Sequence, residues 1–216
     1  MTINKDKILG VILAGGLSRR MKGGNKFFKK INGRTVIYYV INNALNQVSN
    51  LVINANIDKE KFNKFKLNVI RDSVVGFKGP LAGILSAIDY GKKRNYRWVV
   101  TLPCDAPFFP FNLVTKLMER LNKDKCKIVI AKSNKRIHPV FGIWNVSLKN
   151  SLEKTLINDN EKKIEIFVKK HSHSIVNFNY KSIDPFFNIN DYDDLKKANK
   201  FFNLLENNIK PHKYKT

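Results

Sequence analysis

Short apolar runs alternate along the chain with stretches in which apolar residues recur every three or four positions. The first run, Ile8-Leu9-Gly10-Val11-Ile12-Leu13, is nearly continuous and stops at Gly15-Gly16. A short run, apolar on both faces and bounded by a turn, predicts a strand buried in a sheet. Val36, Ile37, Val40, Ile41, Ala44, Leu45 and Val48 then follow at helical spacing, with Thr35 as the predicted N-cap. Leu51 to Asn54 predicts a strand, Asp58 to Phe65 a short helix, and Leu67 to Asp72 another strand. Gly79-Pro80 opens a helix with Leu81, Ile84, Leu85 and Ile88 on one face, proline suiting a first turn.

Trp98 to Leu102 predicts a strand ending at Pro103-Cys104-Asp105. A helix over Leu113 to Leu121, a strand over Lys127 to Ala131 and a strand-like segment from His138 to Trp144 come next. Ser147 to Ile157 reads as a helix, and Ile164 to Lys169 as helix or strand. Ser174 to Phe178 and Phe186 to Ile189 read as short extended segments, and Asp191 to Leu205 as a last helix before a basic tail. Strands alternating with helices imply an α/β fold with a mostly parallel sheet. The segments near His138 and Ser174 are expected to add an antiparallel pair. Ligands of such sheets bind beyond the carboxyl ends of the strands, here Gly15-Gly16, Asn54, Asp72 and Asp105.

Composition narrows the class. At 43% hydrophobic residues over 216 positions, the chain can bury a core, and no run approaches the roughly 20 apolar residues of a membrane span. The first residues lack the apolar region of a signal peptide. Two cysteines, Cys104 and Cys126, are too few for a disulfide framework or a four-ligand zinc site. A cytoplasmic protein with reduced thiols is expected. The net charge of +23 invites a nucleic-acid reading. However, the basic residues are dispersed, Lys and Asn are abundant throughout, and no RNA-binding signature or helix-turn-helix cue accompanies them. Compositional bias on a solvated surface explains the charge better, so neither nucleic acid nor membrane is expected as a partner.

The chemistry concentrates in two segments. Leu13-Ala14-Gly15-Gly16-Leu17-Ser18-Arg19-Arg20-Met21-Lys22-Gly23-Gly24-Asn25-Lys26 follows the first strand directly. Paired glycines let backbone N–H groups approach an anion, and Arg19, Arg20 and Lys26 add charge suited to a triphosphate. The spacing is neither a P-loop nor a dinucleotide fingerprint, and a glycine-rich surface turn would look the same. Leu102-Pro103-Cys104-Asp105-Ala106-Pro107-Phe108 sets one acid at a strand end between two prolines. A rigid carboxylate opposite a phosphate cradle fits Mg²⁺, which takes one or two carboxylates plus phosphate oxygens; a turn-forming Asp is the alternative. Asn54 and Asp72 serve equally as strand-to-turn caps.

Together these segments resemble a known family. The two motifs, Gly79-Pro80-Leu81-Ala82-Gly83, His138-Pro139-Val140-Phe141-Gly142 and Phe187-Asn188-Ile189-Asn190 are similar, in order, to those of the molybdenum cofactor guanylyltransferases. The resemblance runs from about residue 8 to 195. It implies a single-domain Rossmann-like three-layer sandwich of the nucleotide-diphospho-sugar transferase type over residues 1–206, with 207–216 as a basic tail. It also implies transfer of GMP from GTP to the terminal phosphate of Mo-molybdopterin, giving molybdopterin guanine dinucleotide and pyrophosphate, with Mg²⁺ as cofactor. The first and third motifs are shared with other nucleotidyltransferases, so CTP with molybdopterin, or an NTP with a sugar phosphate, is the alternative chemistry. Molybdenum-insertion proteins and apo-molybdoenzymes or their chaperones are the protein partners the resemblance implies.

Position by position, the resemblance implies GTP binding by Leu13, Ala14, Gly15, Gly16, Lys26, Asn54, Asp72 and Asp105. Asp105 would also hold the metal, Lys26, Asp105 and Arg20 would carry catalysis, and His138, Asn188 and Asn190 would lie on the molybdopterin side. A carboxylate at Asp72 can accept from both N1–H and N2–H₂ of guanine, which adenine cannot supply; backbone carbonyls are the other way to do this. The chain departs from the family pattern at Lys22, where Gly is common, at Asn25, where Asp is common, and at Asp191-Tyr192, where Thr-Pro is frequent.

Overall fold

The apolar runs become a seven-stranded sheet because most are buried on both faces. The computed structural model describes residues 7–15, 25–74, 76, 79–134, 136–180 and 183–208. In chain order these give β1 (Ile8–Leu13), a small hairpin of β2 (Lys30–Ile31) and β3 (Arg34–Thr35), α1 (Val36–Leu45), β4 (Asn50–Asn54) and β5 (Asn68–Ile70). There follow α2 (Pro80–Lys93), β6 (Trp98–Pro103), α3 (Leu113–Asp124), β7 (Ile128–Ser133) and β8 (Arg136–Asn145). The chain closes with α4 (Lys149–Ile157), α5 (Ile164–Lys169), β9 (His173–Asn177) and α6 (Tyr192–Asn208). None of the helices among the described residues is long and apolar enough to cross a membrane.

The sheet order is β5-β4-β1-β6-β8-β7-β9. Pairs β5–β4, β4–β1, β1–β6 and β7–β9 are parallel, and β8 is antiparallel to both its neighbours. The His138 segment is thus the antiparallel strand expected. The Ser174 segment is not its partner: β9 runs parallel to β7 at the sheet edge, because α5 returns the chain to the end at which β7 starts. Ile164 to Lys169 resolves as helix, Phe186 to Ile189 forms no strand, and the helix after Asp58 is a 3-10 turn over Lys59–Phe65. Thr35 does precede α1, but its side chain makes no capping hydrogen bond.

Side chains alternate across each strand, so the sheet separates two cores. From β1, Ile8 and Ile12 join α1 and α3 on one face, while Leu9 and Val11 join α2, α4 and α5 on the other. A third cluster packs Ile189 and Ala198 against Ile31 and Val36, which draws the segment before α6 back over the sheet. Register then aligns the strand ends: Leu13 lies opposite both Asn54 and Pro103, and Asn54 opposite Ile70. The residues just past four neighbouring strands therefore open on one place.

The turn after β6 is fastened from below. Buried Asn43 donates to Phe109 O at 2.6 Å, and Gln47 donates to Pro110 O at 3.0 Å. Gln47 Oε1 also accepts from Val114 N–H at 3.0 Å, capping α3 from the turn after α1 where Asn112 does not. Polar groups this deep are costly unless satisfied, so α1 fixes where the chain leaves the Asp105 turn.

Candidate functional site

At the aligned strand ends lies a cleft of about 270 Å³, walled by Leu13, Gly15, Lys26, Asn54, Asp72, Gly79, Gly83, Asp105 and Asn188 among others. The backbones beneath it are laced together: Ala14 N–H donates to Asn54 O at 2.8 Å, and Cys104 N–H to Leu13 O at 3.2 Å. The first turn of α2 forms another wall. Its N-cap is Gly79, with Pro80 following and no acidic residue in the first turn, so the positive end of the helix lies at the cleft wall. Gly79 has a φ of 142°, a conformation open to glycine.

Lys26 and Asp105 form an ion pair, both side chains largely buried at 18% and 13% exposure. The same ammonium donates to Asn190 Oδ1 at 2.8 Å. Ile189 N–H donates to Asp105 O at 2.9 Å, so the Asn188–Asn190 segment is tied to the Asp105 turn by backbone as well as through Lys26. Asp191 explains its own departure from the family pattern. It accepts from Asp194 N–H at 2.8 Å as the N-cap of α6, while Asp194 accepts from Asn190 N–H at 3.0 Å. A Thr at that position would cap in the same way, and the Asp194 carboxylate, by holding the N–H one residue before the cap, anchors Asn190.

Asn188 lies on the cleft wall with its Oδ1 buried and lacking a hydrogen-bond partner among the described residues. An orphaned acceptor of this kind is costly until a donor reaches it. At the far side, Asp72 is gripped by two amides. Asn54 Nδ2 donates to Oδ1 at 2.9 Å and Asn56 Nδ2 to Oδ2 at 2.7 Å. Sequence reasoning passed over Asn56; the signal was its spacing of two from Asn54, which puts both on one side of an extended chain.

His138 is not among the cleft-lining residues. It is buried in β8, with Nε2 2.6 Å from Ser133 Oγ and its ring 4.7 Å from that of Phe186. Ser133 donates to Asp184 Oδ2 at 3.1 Å, and Asp184 Oδ1 accepts from Phe186 N–H. Burial pushes the His138 pKa below the usual range against the pull of Asp184, which keeps the imidazole neutral at pH 7. Its visible work is to brace the turn leading to Asn188 and Asn190. Cys104 is a buried residue of the cleft wall, and burial, with Asp105 adding to it, raises its thiol well above the ordinary value, which disfavours the thiolate. Gly16, Arg20 and Lys22 lie outside the described residues.

The site therefore gathers Leu13, Ala14, Gly15, Lys26, Asn54, Asp72, Asp105, Asn188 and Asn190 at one end of the sheet. Among the described residues no cluster of three or more His, Cys, Asp or Glu forms a metal cage. A single carboxylate beside an anion-accepting cleft is nevertheless the donor set Mg²⁺ uses with phosphates, and Asp105 fits it.

Comparison with known proteins agrees with the geometry. Residues 10–174 match the family described as MobA-like NTP transferase domain. A molybdenum cofactor guanylyltransferase of Nitrobacter hamburgensis is 37% identical over 202 residues, covering 93% of this chain and 97% of that one. One from Brucella ovis is 35% identical over 211 residues, covering 93% and 95%. The crystal structure of molybdopterin-guanine dinucleotide biosynthesis protein A from Archaeoglobus fulgidus has a TM-score of 0.70 at 25% identity, covering 91% of this chain and 99% of that one. CMP:2-keto-3-deoxy-manno-octonic acid synthetase, at 10% identity and a TM-score of 0.69 over 92% and 98% of the two chains, shares the fold. That fold is the Rossmann-like sandwich of the nucleotide-diphospho-sugar transferases.

Proposed function

The chain belongs to the MobA-like NTP transferase family of nucleotidyltransferases, and from that premise we propose that it transfers GMP from GTP to the terminal phosphate of Mo-molybdopterin. The carrying observation is the joining of Lys26, Asp105 and Asn190 across one cleft whose other end holds Asp72. Nucleotide would lie from Asp72 to Lys26 over Leu13, Ala14 and Gly15, and the acceptor would enter beside Asn188 and Asn190. Solution in the cytoplasm, with hand-over of the product to molybdenum-insertion proteins, apo-molybdoenzymes or their chaperones, is part of the same reading.

An oxygen of the acceptor's phosphate attacks the α-phosphorus, a new P–O bond forms, and the bond to the bridging α–β oxygen breaks to release pyrophosphate. The acceptor phosphate, with a second pKa near 6, is already ionised at neutral pH, so no general base is required. Positioning and charge stabilisation carry such reactions. Lys26 supplies a fixed positive charge toward the phosphates, and the first turn of α2 adds N–H groups on the same wall. Asn188 Oδ1 offers its unmet acceptor to an acceptor N–H or hydroxyl. Mg²⁺, when bound through Asp105, neutralises charge on phosphate oxygens; Arg20 is assigned the same sign of help from the loop.

Nucleotide selectivity tests the reading. GTP with Mg²⁺ at a hundred times its Kd stabilises the protein by about 2.7 kcal/mol, a Tm rise of roughly 5–10 °C for a chain this long. CTP and UTP at the same concentration should raise Tm by less than half as much. A larger shift with CTP or UTP would overturn guanylyl transfer in favour of a cytidylyl or sugar-phosphate reaction.

Gly83 gives an independent check. A Cβ there would sit 2.7 Å from Asn54 Oδ1 and 3.2 Å from Leu13 Cδ2. Asn54 is 1% exposed and held on Asp72, so its amide has nowhere to go without releasing that carboxylate. In a helix interior, Gly→Ala otherwise gains about 1 kcal/mol. Gly83→Ala should therefore keep its Tm within roughly 4 °C, the helix gain offsetting the clash, yet bind GTP about tenfold more weakly for the loss of one charge-assisted hydrogen bond. Calorimetric titration beside a melting curve reads both.

A further inference from the structure

The proposed reading of guanine rests on Asp72, and its carboxylate is not free to turn. Ala55 N–H donates to Ile70 O at 2.9 Å, so strand pairing continues one residue past β4. Asn54 and Asn56 consequently point the same way, and each ends on a different oxygen of Asp72, at 2.9 and 2.7 Å. Asn56 does more. Its Oδ1 accepts from the Asp72 backbone N–H at 3.0 Å, so one amide grips both the main chain and the carboxylate of the same residue. The two asparagines differ in setting. Asn54 is buried and packed against Gly83, whereas Asn56 is exposed and has no part in the core. Gly15 passes over the cluster: a Cβ there would lie 3.5 Å from Asn56 Nδ2 and 3.9 Å from Asp72 Oδ2.

An ionised carboxylate has about four lone-pair sites, two per oxygen. Asn54 takes one from Oδ1 and Asn56 one from Oδ2. What remains is one acceptor site on each oxygen, in a plane that the two amides fix. That is a paired acceptor for two adjacent N–H donors, the pattern of N1–H and N2–H₂ on guanine.

We propose that Asn56 is a positioning residue for base selection, holding the plane of the Asp72 carboxylate so that its two remaining acceptor sites meet a base with two adjacent donors. This rests on the assignment of Asp72 as base reader. Asn56 touches no reacting atom; it acts through Asp72. Without it the carboxylate keeps one anchor, at Asn54, and can rotate. The cost falls mainly on a nucleotide that needs both oxygens at once.

Inosine triphosphate is the discriminating probe, since it keeps N1–H and lacks the 2-amino group. Kd values for GTP and ITP with Mg²⁺, measured by calorimetric titration, should favour GTP in the wild type. Asn56→Ala should weaken GTP about tenfold, the worth of one hydrogen bond to a charged group, and ITP about twofold, so that the preference drops roughly fivefold. Asn56→Gln, which keeps an amide at an exposed position, should regain part of that preference; a loss of fold or general packing would weaken both nucleotides alike. Asp72→Asn should abolish the preference. If Asn56→Ala leaves the GTP-to-ITP ratio unchanged while Asp72→Asn collapses it, the role of Asn56 is overturned and Asp72 stands as base reader. If Asp72→Asn also leaves the ratio unchanged, the base is read elsewhere and both assignments fall.

Discussion

Asp105→Ala is expected to lower pyrophosphate release from GTP with molybdopterin by about 10³-fold, the upper end for loss of one preorganised electrostatic group. The side chain stands alone among its neighbours as an acid that can face the phosphates, being held at a strand end by backbone on both sides. Those backbone bonds, from Cys104 N–H to Leu13 O and from Ile189 N–H to Asp105 O, do not depend on the side chain. The side chain is, however, the acid paired with a largely buried ammonium, and removing one partner of such a pair lowers stability. The variant is therefore expected to fold with a lowered Tm, and to lose far more activity than its unfolded fraction accounts for. Asp105→Asn sharpens the result, because it keeps shape and removes charge. If it retains more than about a tenth of wild-type kcat/KM, a loss under 1.4 kcal/mol, Asp105 is a turn-forming residue and holds no metal.

How much of this was written in the sequence differs by element. β1, β4 and β6 were legible because a run such as Ile8 to Leu13, apolar on both faces, has few places to be except inside a sheet. Once they are parallel and adjacent, their carboxyl ends must open together. The meeting of Gly15, Asn54, Asp72 and Asp105 therefore followed from strand ends alone. β9 was misjudged because a single strand's direction is set by the chain that brings it back, here α5, whose six residues read equally as strand or helix. The contact of Lys26 with Asn190, 164 positions apart, was not legible: the family resemblance assigned the one to GTP and the other to the molybdopterin side. It depends on α6 folding over the β2–β3 hairpin through Ile189 and Ala198, a contact no local pattern announces. Asn56 escaped notice because an exposed Asn after a strand is ordinary; only its partner makes it informative.

The high positive charge also has a narrower meaning than its size suggests. Among the described residues, Lys26 is the basic side chain that lines the cleft, and it faces an acid at each end of it, Asp105 directly and Asp72 across it. Most of the +23 lies elsewhere on the surface. It can raise the encounter rate with two anionic substrates, an effect that salt removes, but it cannot place a phosphate. Among the described residues, the basic side chain held in position to meet a phosphate is Lys26, on Asp105 and Asn190.

Replacing that ammonium gives the second large effect. Lys26→Met, which keeps the apolar stem and removes the charge, should lower kcat by about 10²-fold at saturating substrates, the cost of one donor aimed at developing negative charge. Binding of GTP should suffer less, because the triphosphate keeps the glycine loop and the α2 terminus. Lys26→Arg is informative for its failure. The space between Asp105 and Asn190 is filled by one compact head, whereas a guanidinium is a flat fork with fixed donor directions. It should pair with Asp105, displace Asn190, and recover no more than about a tenth of wild-type kcat, leaving a barrier at least 1.4 kcal/mol higher. Asn190 moves with the cap that Asp191 and Asp194 make on α6, so the Arg variant should also raise KM for the acceptor more than KM for GTP. A Lys26→Met enzyme with kcat within threefold of wild type would show that the ammonium only balances Asp105, and that stabilisation of the leaving pyrophosphate comes from another part of the cleft.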